Sequence, residues 1–315
     1  MRGLRRGCLF ALLLALNSPA AARCPVVDEV IAVPAAAPAE VAVATQNLWR
    51  LSERELTATG KTSRLAAWSR HLRDVLRYPH VLVVQEVDTL AMLRALSAQE
   101  VADGGPVYEA VLIDGNDPAG IDVALLYRAP VKIDAVKPLF AGEQQGRDWL
   151  FSRPPLHVQI REPFAFDLLA LHLRSGHGLH DPEQGSRVRS KREAQAKRIR
   201  QWSLSRLAEG RALMLIGDIN SAPGEDAFAV PITILDQPPF WSVWEKLPQA
   251  DRFSYIYRCQ RQAIDHILLS PALRERVARV AVSRGNAGRY RVLNAAQGNA
   301  EVVSDHDALL VYLRH

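Results

Sequence analysis

Six places along the chain set a carboxylate, a carboxamide or an imidazole at the end of an apolar run. Asn47 closes VAVATQN, Glu86 follows VLVVQ, and His172 ends LLALH. Asp218 and Asn220 sit in LMLIGDINSAP, Asp265 in AIDHILLS, and Asp305 and His306 in VVSDHDALL. Hard divalent cations take carboxylate oxygens, and a neutral histidine near an aspartate makes a general base. The set supplies both. Each residue alone has a plain alternative as a turn former or cap. Glu86 resists that alternative, because a carboxylate after a VLVV run needs a cation or a donor. Asp307 and His266 adjoin the same motifs, and His266 could simply pack.

The elements that must position these residues are short and mixed. Apolar runs predict strands over 41–48, 81–87, 108–113, 121–127, 156–161, 164–172, 212–216, 264–269, 277–283 and 308–313. Leu65, Trp68, Leu72, Val75 and Leu76 recur at helical spacing and predict a helix over 63–78, ended by Pro79. Further helices are expected over 91–101 and 187–208. Strands joined by tight turns argue against a purely alternating doubly wound sheet. No GxGxxG or GxxxxGKS run occurs, which sets nucleotide-cofactor binding aside. One α/β domain over 41–315 accounts for the pattern.

The ordered series TQNLW, VQEV, GIDVALLYR, HLRSG, GDINSAP, IDHILLS and SDHDALL resembles the endonuclease/exonuclease/phosphatase family of metal-dependent phosphoesterases. The resemblance covers roughly 41–315. It implies a four-layer α-β-β-α sandwich with two packed mixed sheets and an active site where loops of both sheets meet. It implies that Glu86 binds the metal, with Asp305 beside it, and that the ion is Mg²⁺, Mn²⁺ or Ca²⁺. Asn47 would lie by the scissile phosphate. His172 would contact the phosphate and protonate the leaving group. Asp218 would orient the attacking water, and Asn220 would hold phosphate oxygens. His306 would act as general base, oriented by Asp265. Arg153, in SRPPL, either grips a phosphate or is a surface arginine in a proline turn. Abasic-site enzymes carry an aspartate two residues after the first asparagine. Trp49 stands there in this chain, which speaks against a repair role.

The remaining composition bounds the reading. The chain has 315 residues, 48% hydrophobic and 23% charged, with only 3 cysteines. That excludes a disordered chain and a disulfide-dense scaffold. Arg2, Arg5 and Arg6 precede the apolar run CLFALLLAL and then small residues ending at Ala22, the layout of a signal peptide over 1–22. Export to the periplasm or the extracellular space is expected. Its removal takes three arginines from a formal charge of +5 and leaves a mild +2. Residues 23–40 form a Pro/Ala-rich leader, expected to be extended over the surface or partly disordered. Cys24 and Cys259 remain after cleavage and could form a disulfide. No later segment is long and apolar enough to span a bilayer.

The segment 187–200 carries Arg187, Arg189, Lys191, Arg192, Lys197, Arg198 and Arg200 against Glu193. It is either a solvated helix face or a phosphate-backbone contact surface. His177 and His180, near His172, are a second metal or substrate contact or else idle. Three functions follow. The first is an exported phosphodiesterase on DNA or RNA, favoured by the basic segment. The second is the same chemistry on sphingomyelin or an inositol phosphate, for which Pro238-Pro239-Phe240-Trp241 is a candidate membrane loop. The third is a non-catalytic binding protein on the same fold. No obligate protein partner is inferred.

Overall fold

Val41 and Val43 face one side of their strand, Ala42 and Ala44 the other, and all four are buried. A strand apolar on both faces must be covered twice. The computed structural model describes residues 29–56, 64–224, 230–288 and 303–315. The signal peptide expected over 1–22, and Cys24, lie outside the described residues.

The elements in chain order are β1 (Glu40–Leu51), α1 (Arg64–Asp74), β2 (Val81–Val87), α2 (Leu90–Ala102), β3 (Glu109–Leu112), β4 (Asp122–Tyr127) and β5 (Lys132–Pro138). A short ribbon of β6 (Gln144–Gln145) and β7 (Asp148–Trp149) precedes β8 (Leu156–Glu162), β9 (Phe166–His172) and α3 (Gly185–Ala208). Then come β10 (Leu213–Asp218), α4 (Val230–Leu235), β11 (Trp241–Ser242), β12 (Tyr255–Tyr257) and β13 (Gln260–Gln262). The chain closes with β14 (Asp265–Leu269), α5 (Pro271–Arg274), β15 (Val277–Val282) and β16 (Leu309–Arg314).

Two six-stranded sheets result, ordered β15-β16-β1-β2-β4-β3 and β11-β14-β10-β9-β8-β5. Both are mixed: β1–β2 and β9–β10 are parallel, and their outer neighbours pair antiparallel. Val43, Val83, Leu168 and Ile216 belong to the core between the sheets. Trp68 and Leu72 of α1, with Met92 and Leu93 of α2, cover the outer face of the first sheet. Ala196 and Ile199 of α3, with Ile232 and Leu235 of α4, cover the second. Burying each large apolar side chain contributes about 1.5–3 kcal/mol. The architecture is the four-layer α-β-β-α sandwich.

Two differences from the sequence reading are instructive. The first helix stops at Asp74 rather than Tyr78, and Arg77 and Tyr78 take left-handed φ values of 54° and 55° on the way to β2. Strand β5 was not expected. Its KIDAVKP sequence carries three charges, which suits a sheet edge bonded to β8 alone. From residue 29 the leader lies against the domain. Val33 is buried and its N–H donates to the Val75 carbonyl at 2.9 Å. Among the described residues no helix is long and apolar enough to cross a membrane.

Candidate active site

Glu86 reaches the end of the sandwich because β2 breaks its alternation. Val84 and Val87 both pack under α1 and α2, although they lie three residues apart. The pairing of β2 with β4 shifts between Gln85 and Val87, and Glu86 takes φ 61°. This bulge removes Glu86 from the ladder. In an unbroken strand its carboxylate would face the helix-covered core. Left-handed backbone at a non-glycine residue costs roughly 1–2 kcal/mol, and here that strain sits where a carboxylate is turned into the cleft.

Asp218 is delivered by a close approach of strands. A Cβ at Gly217 would lie 2.0 Å from the Leu171 carbonyl oxygen, and its φ is 139°. Only glycine lets β10 and β9 meet there. Their register sets His172 opposite Asp218 on one side and Asp265 opposite it on the other. Three candidate residues thus form one row across the second sheet.

Asn47 joins that row to the first sheet. Its Nδ2 donates to Glu86 Oε1 at 3.3 Å and to Asp218 Oδ2 at 3.2 Å. His172 Nε2 lies 3.6 Å from the same Asp218 oxygen and 4.0 Å from Glu86 Oε1. The N–H of Trp49 donates to Asn47 Oδ1 at 2.8 Å, which fixes the carboxamide. His306 Nδ1 lies 2.7 Å from Asp265 Oδ2, and its Nε2 lies 4.0 Å from Asp305 Oδ1. Ser304 Oγ accepts from the His306 N–H at 3.0 Å and donates to the Asn47 carbonyl at 2.7 Å. Gln46 Nε2 donates to the His306 carbonyl at 2.9 Å. Trp244 Nε1 donates to the Asp265 carbonyl, and the Tyr255 ring packs 4.8 Å from the His306 imidazole. Sequence reasoning missed these four supporting residues. A buried serine two residues before His306 is the only local signal among them.

The electrostatics are those of crowded acids. Burial, then the charge of Asp265, push Asp218 up to about 7. Asp305 is raised by burial, with Glu86 and Asp265 adding to it. Burial acts to lower His306, but Asp265, Asp305 and Asp218 outweigh it and hold it above the ordinary range. Burial and the cations of Arg153 and His306 lower His172, so its imidazole is neutral.

Oδ1 of Asp265 and Oδ1 of Asp305 are buried and have no hydrogen-bond partner among the described residues. Ligand-type atoms of Asp218, Asp265 and His306 lie within 4.8 Å of one another. Converging carboxylates with unused lone pairs fit a hard divalent cation. Asp265 already serves His306, which leaves Glu86, Asp218 and Asp305 as the carboxylates best placed to hold one.

Other residues take other places. The Asn220 N–H donates to Asp218 Oδ1 at 2.8 Å, and its Nδ2 donates to the Leu173 carbonyl at 3.2 Å. Arg153 is no surface arginine. It donates to the His172 and Leu173 carbonyls and pairs with Asp117 at 2.8 Å. Asp307 anchors Arg284 and the N–H groups of Asn286 and Ala287. His266, lowered to about 4 by burial, contacts the Ser221 carbonyl at 2.8 Å and packs. His177 and His180 are exposed, in a loop beside a groove of about 660 Å³.

Most of the basic segment has partners within the protein, although only Arg192 is buried. Arg192 is buried and donates to the Arg174 and Asn220 carbonyls. Arg189 donates to the Leu179 carbonyl, and Arg200 to those of Gln237 and Pro238. Arg187 pairs with Asp148, Lys197 with Glu193, and Arg198 with Glu143. Arg192 is thereby removed from any phosphate-backbone surface, while Arg187 and Lys197 remain exposed on α3. Phe240 and Trp241, the candidate membrane loop, are buried too.

The fold is shared with known proteins. No curated protein matches the sequence. In structure the chain is similar to truncated TDP2 from Caenorhabditis elegans, at 17% identity and TM-score 0.59, covering 88% of this chain and 98% of that one. It is similar to an endonuclease/exonuclease/phosphatase family protein from Bacteroides thetaiotaomicron, at 18% identity and TM-score 0.59, covering 87% and 97%. It is similar as well to the 3′ phosphatase NExo from Neisseria bound to a product DNA hairpin, at 16% identity and TM-score 0.59, covering 87% and 100%. The family model for the Endonuclease/Exonuclease/phosphatase family matches residues 44–306. The chain belongs to that family of metal-dependent phosphoesterases.

Proposed function

We propose that the protein is an exported phosphodiesterase that hydrolyses DNA or RNA. The observation that carries the hydrolytic reading is the convergence of the Asp265–His306 pair with Asp218, Asn47 and His172 at one end of both sheets. Glu86 and Asp305, with Asp218, would hold Mg²⁺, Mn²⁺ or Ca²⁺. When bound, the cation neutralises phosphate charge and stabilises the leaving oxyanion.

The chain's own groups do the rest. Asp265 orients the His306 ring so that Nε2 faces the cleft, and where a bound cation offsets the surrounding carboxylates the imidazole would be neutral and could accept a proton from water. Asp218 orients that water. Asn47 bridges Glu86 and Asp218 through Nδ2, and would donate to a phosphoryl oxygen once a cation takes over one of those carboxylates. Asn220 keeps Asp218 in place through its N–H and lies at the phosphate's edge. Neutral His172 can donate a hydrogen bond from Nε2 to a phosphoryl or leaving oxygen, but its lowered pKa does not suit it to protonate the leaving group. Arg153 supplies fixed positive charge behind His172.

Nucleic acid is favoured by the cationic surroundings of His172 and by the DNA that one structural relative carries. A lipid substrate loses its candidate membrane loop to the core. A panel of plasmid DNA, RNA, sphingomyelin and a phosphoinositide, with and without EDTA, tests the reading. Metal-dependent cutting of a nucleic acid is expected. Turnover of a lipid diester alone would overturn the substrate, and turnover of none would overturn the activity.

Export and the Cys24–Cys259 disulfide belong to the same proposal. Mass analysis of the exported, non-reduced protein should show a start near Arg23 and no free thiol. An intact Met1, or two free thiols, would count against them.

A further inference from the structure

Behind His172 lies a cavity of about 210 Å³ whose wall includes Arg153, Arg174, Lys191, Ser152, Ser175 and Asp117. His172 is shared, since its Nε2 faces Asp218 and Glu86 while the residue also lines this cavity. The charges do not balance. Asp117 pairs with Arg153 at 2.8 Å. Arg174 donates to neutral acceptors, the Ser175 carbonyl and Oγ and the His177 carbonyl. Among the described residues the Lys191 ammonium reaches only Ser152 Oγ, at 3.4 Å. Among the described residues, two cations in a concave, half-buried site thus lack a carboxylate of their own.

That arrangement is costly unless an anion enters. Burial lowers the Lys191 pKa, and Arg174 and Arg153 lower it further against the opposing Asp148. Burial and Arg153 lower that of Arg174 in the same way. Repulsion among like charges, held by α3 and the loop after β9, is relieved by a dianionic or monoanionic oxyanion with several acceptor oxygens. Ser152 and Ser175 add hydroxyls for the same oxygens. The loop of 114–120 holds the mouth open: the Asn116 N–H donates to the Ser152 carbonyl at 2.6 Å, and Gly115 donates to Asp122 Oδ1 at 2.9 Å.

We propose that this cavity holds a second, non-scissile phosphate of the substrate, making Lys191 and Arg174 specificity residues for strands over single diesters. The proposal rests on the phosphodiesterase reading above and names its substrate class more narrowly. Lys191 touches none of the residues assigned to proton transfer or metal binding, so it acts on selection rather than on the bond broken.

The test compares three substrates with the full chain in Mg²⁺: bis(p-nitrophenyl) phosphate, a thymidine dinucleotide and a thymidine trinucleotide. The wild type should prefer the trinucleotide over the dinucleotide in kcat/KM by about tenfold, the scale of one charge-assisted contact. Lys191→Met should erase most of that preference through KM, and Lys191→Arg should keep it. Both should turn over bis(p-nitrophenyl) phosphate like the wild type. The salt dependence of KM should be steeper for the trinucleotide and flatten in Lys191→Met. An unchanged preference in a Lys191→Met variant that melts like the wild type would overturn the second site. Failure of the wild type on all three substrates would instead overturn the phosphodiesterase reading. If Lys191→Met does not fold, Arg174→Gln tests the same preference.

Discussion

The imidazole of His306 meets the carboxylate of Asp265 at 2.7 Å across 41 residues of sequence, and both side chains are buried. The geometry leaves Nδ1–H as donor to Asp265 and Nε2 as the free end of the ring. His306→Ala should lower the rate about 10²–10⁴-fold, the usual loss for a general base. Asp265→Asn should cost less, because the asparagine can still orient the ring. Added Mg²⁺ should rescue neither. Turnover of bis(p-nitrophenyl) phosphate beside melting curves checks this; parallel losses of rate and stability would make the pair merely structural.

Glu86 sits in strained backbone with its carboxylate near Asn47 and His172. EDTA should abolish activity. Glu86→Gln should raise the Mg²⁺ concentration needed for half-maximal rate and recover part of the rate at high Mg²⁺. A Mg²⁺ titration of both proteins reads this directly, and an unchanged midpoint would exclude Glu86 as a ligand.

Gly217 and Gly210 both have positive φ, at 139° and 78°, but only the first is enclosed. A Cβ at Gly217 meets the Leu171 carbonyl, whereas one at Gly210 meets nothing within 4 Å. Gly217→Ala should therefore destabilise by several kcal/mol, in the range reserved for backbone clashes, and Gly210→Ala by only about 1 kcal/mol. Urea unfolding of the two variants separates them.

Glu100, in the last turn of α2, is buried, and burial raises its pKa to about 7. An unfolded glutamate titrates near 4.3. Between those values the unfolded chain has released a proton that the folded chain keeps, so stability falls as pH rises. Glu100→Gln removes this effect. The melting-temperature difference between variant and wild type should grow in the variant's favour from pH 4.5 to 7 and level off above. Thermal melts across that range check it, and a constant difference would refute it.

Much of this protein was legible in its sequence because the signals are local. Two-sided apolar strands such as VLVV and VAVA follow from side chains alternating every residue, and they called for layers on both faces. The GDIN, IDH and SDH runs announced acids and imidazoles at strand ends by type alone. Other decisions are non-local and needed the tertiary structure. The bulge at Glu86 depends on how β2 pairs with β4, which no stretch of β2 states. Arg192 and Lys191 are neighbours on one helix and read alike. The carbonyl of Asn220, 28 residues beyond Arg192, engages the first as a buried strut, while a cavity wall receives the second. Composition supplied the charges of α3. Only the packing of loops against that helix decided which of them are already satisfied by the fold and which still face a cavity that an anion can enter.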